Sequence, residues 1–272
     1  MKVFTIDIAK CVGCYDCQVA CKDEHCGNDW SPYAKPQPNT GHFWMKVNYE
    51  EKGTLPKVRV TYQPVLCMHC DQAPCIAACP IKGAIYKRDD GLVVIDPQKC
   101  TGCRNCLHGC PYGVIYYNEN LHIAQKCTGC AHLLDRGWKE PRCADSCPTD
   151  ALKLIDEEDL AKIKDKKEVI HPEYGTRPRV YYVNLPKKFV AGTVYDPATK
   201  RIVEGATCKL TGQSGTSFLA TTDGFGDFWF ENMEVGSYSL RIEADKYSPQ
   251  IVVGIVTEKD VNLGDIPLSR VV

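Results

Sequence analysis

Apolar and polar residues alternate at the start of the chain. Val3, Thr5 and Asp7 face one way and Phe4, Ile6 and Ile8 the other, which predicts a strand over 2–8. A short helix is expected over 17–24 and a loop over 27–41, where Pro and Gly break any period. Strand patterns resume over 41–47 and 57–62. Two short hairpins come next. Segments 84–87 and 92–95 flank a turn ending in Asp90-Gly91, and 113–117 pairs with 122–125 in the same way. Leu152, Leu154, Leu160 and Ile163 are spaced for one or two helices over 151–167, with the charges on a solvated face. A strand over 176–185 and the sequence Pro186-Lys187-Lys188 close this part of the chain.

After Phe189 the pattern changes. Alternating strands are predicted over 189–195, 206–210, 217–222, 228–231, 237–243 and 250–256. Turns such as Asp223-Gly224-Phe225-Gly226-Asp227 separate them at short intervals, as in a β-sandwich. The expectation is an α+β chain of two domains, 1–186 and an all-β 187–272.

The chemistry lies between the short elements of the first domain. Residues 100–111 read C-T-G-C-R-N-C-L-H-G-C-P. Three thiolates this close on a turning backbone can face one iron–sulfur cube, and the fourth, three residues on, points to a second. Cys100, Cys103, Cys106 and Cys110 are therefore one of several such groups. Cys11, Cys14, Cys17 and Cys21 repeat the spacing. Cys67, Cys70, Cys75 and Cys79 repeat it with a wider middle gap, and Cys127, Cys130, Cys143 and Cys147 with a long insertion. Four groups take sixteen of the eighteen cysteines and leave Cys26 and Cys208. Disulfides fit poorly, because the pairs are tight and cysteine nearly vanishes after Cys147. Zinc also binds Cys-x2-Cys pairs, but it favours two pairs separated by a long loop. No group lacks a fourth thiol, so no open iron site for a substrate and no catalytic residue is expected.

Other residues carry blander readings. His69 and His108 sit inside complete cysteine groups and are not needed as ligands. Lys99, Arg104, Lys126 and Arg142 lie beside ligands, where a cation would favour a reduced cube, or they are ordinary surface charges. Lys22 stands where proline follows the other closing cysteines, and its free N–H could reach a sulfur. Cys26 reads as a free thiol and Cys208 as sandwich core. Trp30, Trp44 and Trp138 read as core or as anchors for a partner. Asp223 and Asp227 serve the turn, with too few oxygens around them for calcium.

Charge changes little. The 33 basic and 34 acidic residues nearly balance, which gives no reason to expect nucleic acid or an anionic membrane as partner. Lys2, Asp7 and Lys10 interrupt the first residues, so no signal peptide is read, and no apolar run reaches the length of a membrane span. A cytoplasmic protein is expected, unless it travels as a passenger on an exported partner.

The four groups resemble the four-cluster ferredoxin-like electron-transfer subunits of the dimethyl sulfoxide reductase family of molybdopterin enzymes. The resemblance covers residues 1 to about 185. It implies tandem bacterial two-cluster ferredoxin units holding four [4Fe–4S] clusters, with each closing cysteine crossing to another cube. One cube would take Cys11, Cys14, Cys17 and Cys147, and its neighbour Cys127, Cys130, Cys143 and Cys21. A third would take Cys67, Cys70, Cys75 and Cys110, and the fourth Cys100, Cys103, Cys106 and Cys79. It also implies a large catalytic partner carrying molybdenum or tungsten bis-MGD, in a heterodimer or larger complex, and an external electron carrier.

The stretch T-T-D-G-F-G-D-F-W-F-E-N-M-E-V-G-S-Y-S-L resembles the transthyretin-like or carboxypeptidase-regulatory-like sandwich. With G-H-F-W-M at 41–45, C-M-H-C at 67–70 and R-P-R-V-Y-Y at 177–182, it narrows the resemblance to the small subunits of phenol transhydroxylases and hydroxylases. Transhydroxylase subunits of that kind carry three clusters. Four intact groups favour net hydroxylation or dehydroxylation, with electrons passing through this chain. A respiratory oxyanion or sulfur-compound reductase, or a free polyferredoxin, are the other readings.

Overall fold

A computed structural model describes residues 1–271. The chain divides into two compact units: Met1–Tyr49 with Tyr62–Leu185, and Glu50–Thr61 with the chain from Pro186 onward.

The first unit begins with β1 (Lys2–Asp7) and α1 (Asp16–His25), followed by the hairpin of β2 (Lys46–Thr54) and β3 (Lys57–Val65), whose tip belongs to the second unit. Two similar modules follow. The first is α2 (Pro74–Ala78), β4 (Ile85–Lys87) and β5 (Val93–Ile95); the second is α3 (Asn105–Gly109), β6 (Tyr116–Asn118) and β7 (Ile123–Gln125). Each module is a cysteine loop, a helical turn and a two-stranded hairpin. Two further turns of helix, α4 (Ala131–Leu134) and α5 (Arg142–Asp145), lead to β8 (Leu152–Asp156), β9 (Lys167–Glu168) and β10 (Val180–Val183). Those three strands join β1 in a sheet of order β8-β1-β10-β9.

Two expectations fail here. Residues 152–156 form a strand, with only a 3-10 turn over Glu157–Lys162. Leu152 and Leu154 are two apart, and both face the core opposite Ile6 and Phe4 of β1. Their period is that of a strand, and the apolar edge of β1 selects it. The strand expected over 41–47 starts only at Lys46. Trp44 and Met45 are buried without a ladder, because the Met45 amide hydrogen-bonds Cys21 instead.

The second unit continues with β11 (Lys188–Asp196), β12 (Arg201–Ile202), β13 (Thr207–Gly212), β14 (Ser217–Thr221), β15 (Asp227–Met233), β16 (Ser237–Glu243), β17 (Gln250–Val256) and β18 (Val261–Pro267). One sheet is β12-β11-β15, with β18 parallel to β11; the other is β14-β13-β16-β17. Val190, Val194, Phe228 and Phe230 of the first sheet meet Cys208, Leu210, Leu240 and Ile242 of the second in one core. Alternation reveals most of these strands in the sequence. β18 is missed because Asn262, Gly264 and Asp265 hide its period. The hairpin tip adds polar ties within this unit: Arg59 pairs with Glu231 at 2.9 Å, and Asn262 Nδ2 donates to Thr54 O at 3.1 Å.

Candidate metal centres

Each cysteine group uses the same local device. The residue two positions after the first cysteine lies in the left-handed region: Gly13 at φ +68°, His69 at +44°, Gly102 at +73° and Gly129 at +66°. This turn aims backbone amides at sulfur. Gly129 N donates to Cys127 Sγ at 3.3 Å and His69 N to Cys67 Sγ at 3.5 Å. Glycine takes the conformation without a steric cost. His69 does so with compensation: its ring stacks 5.9 Å from Phe4, and its Nδ1 accepts from Val93 N at 2.9 Å.

The fold gathers the thiols in sets drawn from different groups. Cys11, Cys14, Cys17 and Cys147 stand near enough to repel one another as thiolates. So do Cys21, Cys127, Cys130 and Cys143, and Cys67, Cys70, Cys75 and Cys110. Cys106 has Cys100, Cys103 and Cys79 as neighbours. Cys67, Cys70, Cys75 and Cys110 line one small cavity with apolar side chains. Cys79, Cys100, Cys103 and Cys106 line a second.

The acidities of these thiols show what such sets require. Burial, followed by neighbouring thiolates, pushes Cys17 up to about 12. Burial likewise takes Cys106 to about 11 and holds Cys21 and Cys143 well above the ordinary thiol value. Cys147 goes the other way. Burial pushes it up, but the amides of Leu152, Thr149 and Ala151 and the Thr149 hydroxyl outweigh that and leave it lowered. Mostly buried quartets of mutually repelling thiols fit a cationic core that binds them all as thiolates. Four-thiol sets, three thiols from one group and the fourth from another, fit a polynuclear cluster.

Successive sets adjoin one another. Cys17 and Cys21 sit one turn apart on α1, and Cys143 also neighbours Cys17, so the first two sets adjoin. Cys127 neighbours Cys67, which brings the second set to the third. Cys75 and Cys106 share an apolar cluster with Val93 and Ile95, which joins the third to the fourth. Cys14 and Cys103 are exposed, whereas all four thiols of the second set are buried.

Several side chains beside the thiols escaped the sequence. His25 Nε2 lies 3.7 Å from Cys130 Sγ, and its ring packs 4.7 Å from Trp44. Burial and then the neighbouring His132 push His25 down to about 3, so the ring is neutral. His132 Nε2 meets Glu24 Oε1 at 2.9 Å and stacks on Trp30. Lys126 is buried, and its Nζ donates to the carbonyls of Val93 and Cys127. Burial lowers its affinity for the proton, but Cys67, Cys75 and Cys127 outweigh this and hold it up. The Lys22 backbone lies within α1, and its Nζ donates to Gly41 O at 2.8 Å, near Cys26 and Cys21. Lys99, Arg104 and Arg142 pair with Asp96, Glu119 and Glu24. His108 is exposed, as is Trp138. Cys26 Sγ meets Asn39 Oδ1 at 3.3 Å. Asp223 Oδ1 accepts from the amides of Phe225 and Asp227, which closes its turn.

No helix among the described residues is long and apolar enough to cross a membrane. Residues 58–157 match the 4Fe-4S dicluster domain, and 190–269 match the carboxypeptidase regulatory-like domain. The first cysteine group lies outside the former stretch. The chain is similar to the pyrogallol hydroxytransferase small subunit of Pelobacter acidigallici, at 42% identity over 97% of both chains. It is also similar to the arsenate respiratory reductase iron-sulfur subunit of Shewanella sp. strain ANA-3, at 33% identity over 70% of this chain and 97% of that one. A tetrathionate reductase subunit of Salmonella typhimurium is 35% identical over 68% of this chain and 73% of its own length. With thiol sets that fit iron–sulfur clusters and a relative matched from end to end, this chain belongs to the iron–sulfur electron-transfer subunits of the dimethyl sulfoxide reductase family of molybdopterin oxidoreductases.

Proposed function

We propose that the four thiol sets hold four [4Fe–4S] clusters in a row and carry electrons to or from a catalytic partner bearing bis-MGD with molybdenum or tungsten. Such a cluster takes up or releases one electron at a time. The observation that carries the reading is that each set adjoins the next. Cys17 and Cys21 couple the first two, Cys127 and Cys67 the next pair, and Cys75 and Cys106 the last. The exposed thiols Cys14 and Cys103 belong to the two end sets, where electrons can enter and leave. The protein supplies fixed thiol geometry, amide donors to sulfur, and burial of the middle of the line.

The end-to-end similarity to a pyrogallol hydroxytransferase subunit points to a phenol as the partner's substrate. A hydroxyl transfer between two phenols has no net redox change. A complete line that ends at exposed thiols favours net hydroxylation or dehydroxylation, with an external carrier at one end. The domains are read as 1–186 and 187–272, apart from the hairpin tip at Glu50–Thr61, and the setting as the cytoplasm.

The test is metal analysis of the native complex, isolated without oxygen through a tag on this chain. About sixteen irons from this subunit, as four cubes require, are expected. Molybdenum or tungsten should accompany a large co-purifying subunit, and phenols should then be the active substrates. Zinc in place of iron overturns the reading, and iron with no partner makes the chain a free polyferredoxin.

A further inference from the structure

We infer that Lys126 is a positioning residue for electron transfer, a buried cation between the second and third thiol sets that raises the reduction potentials of both. This rests on the reading that those sets hold clusters. Lys126 is 2% exposed. Its Nζ donates to the carbonyl of Cys127, in one set, and to that of Val93, which lines the cavity of the other set beside Cys67 and Cys75. A buried ammonium is costly unless anions face it. Here the thiolates and the electrons they help to hold are those anions.

The other cations beside ligands are placed differently. Lys99, Arg104 and Arg142 each pair with a carboxylate, so much of their charge is neutralised before it reaches a sulfur. Lys126 is instead held by the backbone carbonyls of Val93 and Cys127 in a buried region, where electrostatic effects are strongest. Cluster potential follows local charge and hydrogen bonds to sulfur. One cation shared by two sets shifts both in the same direction, so the step between them stays level.

Val93 fixes the arrangement. Its N–H donates to His69 Nδ1 at 2.9 Å, and its carbonyl accepts from Lys126 Nζ. His69 lies between Cys67 and Cys70, and Lys126 precedes Cys127. The loops of both sets are thus tied to one residue of β5.

The experiment is a stepwise dithionite titration of the native anaerobic complex, with mediators, followed by electron paramagnetic resonance. Lys126→Met should move two of the four cluster signals to more negative potentials and leave the other two in place. Lys126→Arg should keep all four near the native values. With full iron content, an unshifted Lys126→Met, an equal shift of all four signals, or an Arg variant shifted as far as the Met variant overturns the inference. If Lys126→Met loses iron, Lys126→Gln is read by the same criteria. Loss of iron from both neutral variants, with the Arg variant intact, assigns the residue to assembly and also overturns a tuning role. A native complex that lacks either middle signal defeats the four-cluster reading and this inference together. Four native signals with unshifted variants defeat the inference alone.

Discussion

Cys17 and Cys21 stand one turn apart on α1, yet their thiols face different sets. Cys17 neighbours Cys11, Cys14 and Cys147, whereas Cys21 neighbours Cys127 and Cys130. Residues four apart share one helical face, so a single short helix carries the step between two sites. Cys21→Ala should remove about four irons per chain, the content of one cube, and break electron passage along the line. Cys26→Ala, one turn further on, should leave iron unchanged, because that thiol meets Asn39 rather than a set. Iron analysis of the two variants, with reduction of an external acceptor by the complex, checks the contrast. Equal iron loss in both would refute it.

The glycine of the fourth cysteine loop is needed for two separable reasons. Gly129 has φ +66°, and a Cβ there would lie 2.7 Å from Leu92 Cδ1. Gly113 has φ +62° but open space around the same position. A left-handed alanine costs about 1–2 kcal/mol from the backbone alone. Gly113→Ala should lose about that much stability, and Gly129→Ala more, with iron loss from the set that includes Cys127. Denaturant midpoints compared with visible absorbance measure both. Equal destabilisation, with cluster absorbance kept, would show that Leu92 yields freely.

What could be read from the sequence follows the range of the interaction. Cysteines three or four apart are placed by the local turn, so their spacing exposes the groups directly. Sandwich strands are legible for a similar reason, since alternation at Ser237–Glu243 matches one buried face. The segment at 152–156 is not, because four spaced leucines and isoleucines fit either period and only contact with β1 decides. Lys126 resembles Lys99 in sequence, each one residue before a cysteine. One is buried between two sets and the other pairs with Asp96 near solvent. That difference is tertiary, and no local pattern contains it.

Arg179 shows how the R-P-R-V-Y-Y stretch serves the thiols. Its Nε donates to Asp71 Oδ1 at 2.6 Å and its Nη2 to Asp71 Oδ2 at 3.2 Å, while Nη1 reaches Glu157 Oε2 at 3.1 Å. Asp71 follows Cys70 directly, and its amide donates to Arg177 O at 2.9 Å. The guanidinium therefore ties the loop of the second group to the strand beside it. Lysine cannot reproduce a two-pronged contact of this kind. Arg179→Lys should cost about 2 kcal/mol, the scale of hydrogen bonds to charged groups, and should increase oxygen-driven bleaching of the set containing Cys70. Bleaching rates of native and variant complexes measure it, and unchanged rates would sink the idea.

Cys208 allows a pH prediction away from the metal sets. It is fully buried on β13, between Ala220 of β14 and Ile242 of β16. Burial alone pushes its thiol from 9.0 up to about 12. The folded value is the higher one, so the fold favours the protonated thiol. That contribution is fully present below about 9 and is lost as pH rises toward about 12. One pKa unit corresponds to about 1.4 kcal/mol, so by about pH 10.5 the loss attributable to this thiol should reach about 2 kcal/mol. Other groups titrate in the same range, and the comparison with Cys208→Ala removes them. The variant begins less stable, because a buried sulfur is replaced by a void. The gap between the two chains should then narrow as pH rises from about 9. Denaturant unfolding of both full chains across that range measures the gap. Parallel curves, or rapid alkylation of Cys208 in the folded protein at neutral pH, would show that the thiol is not held in the core as described.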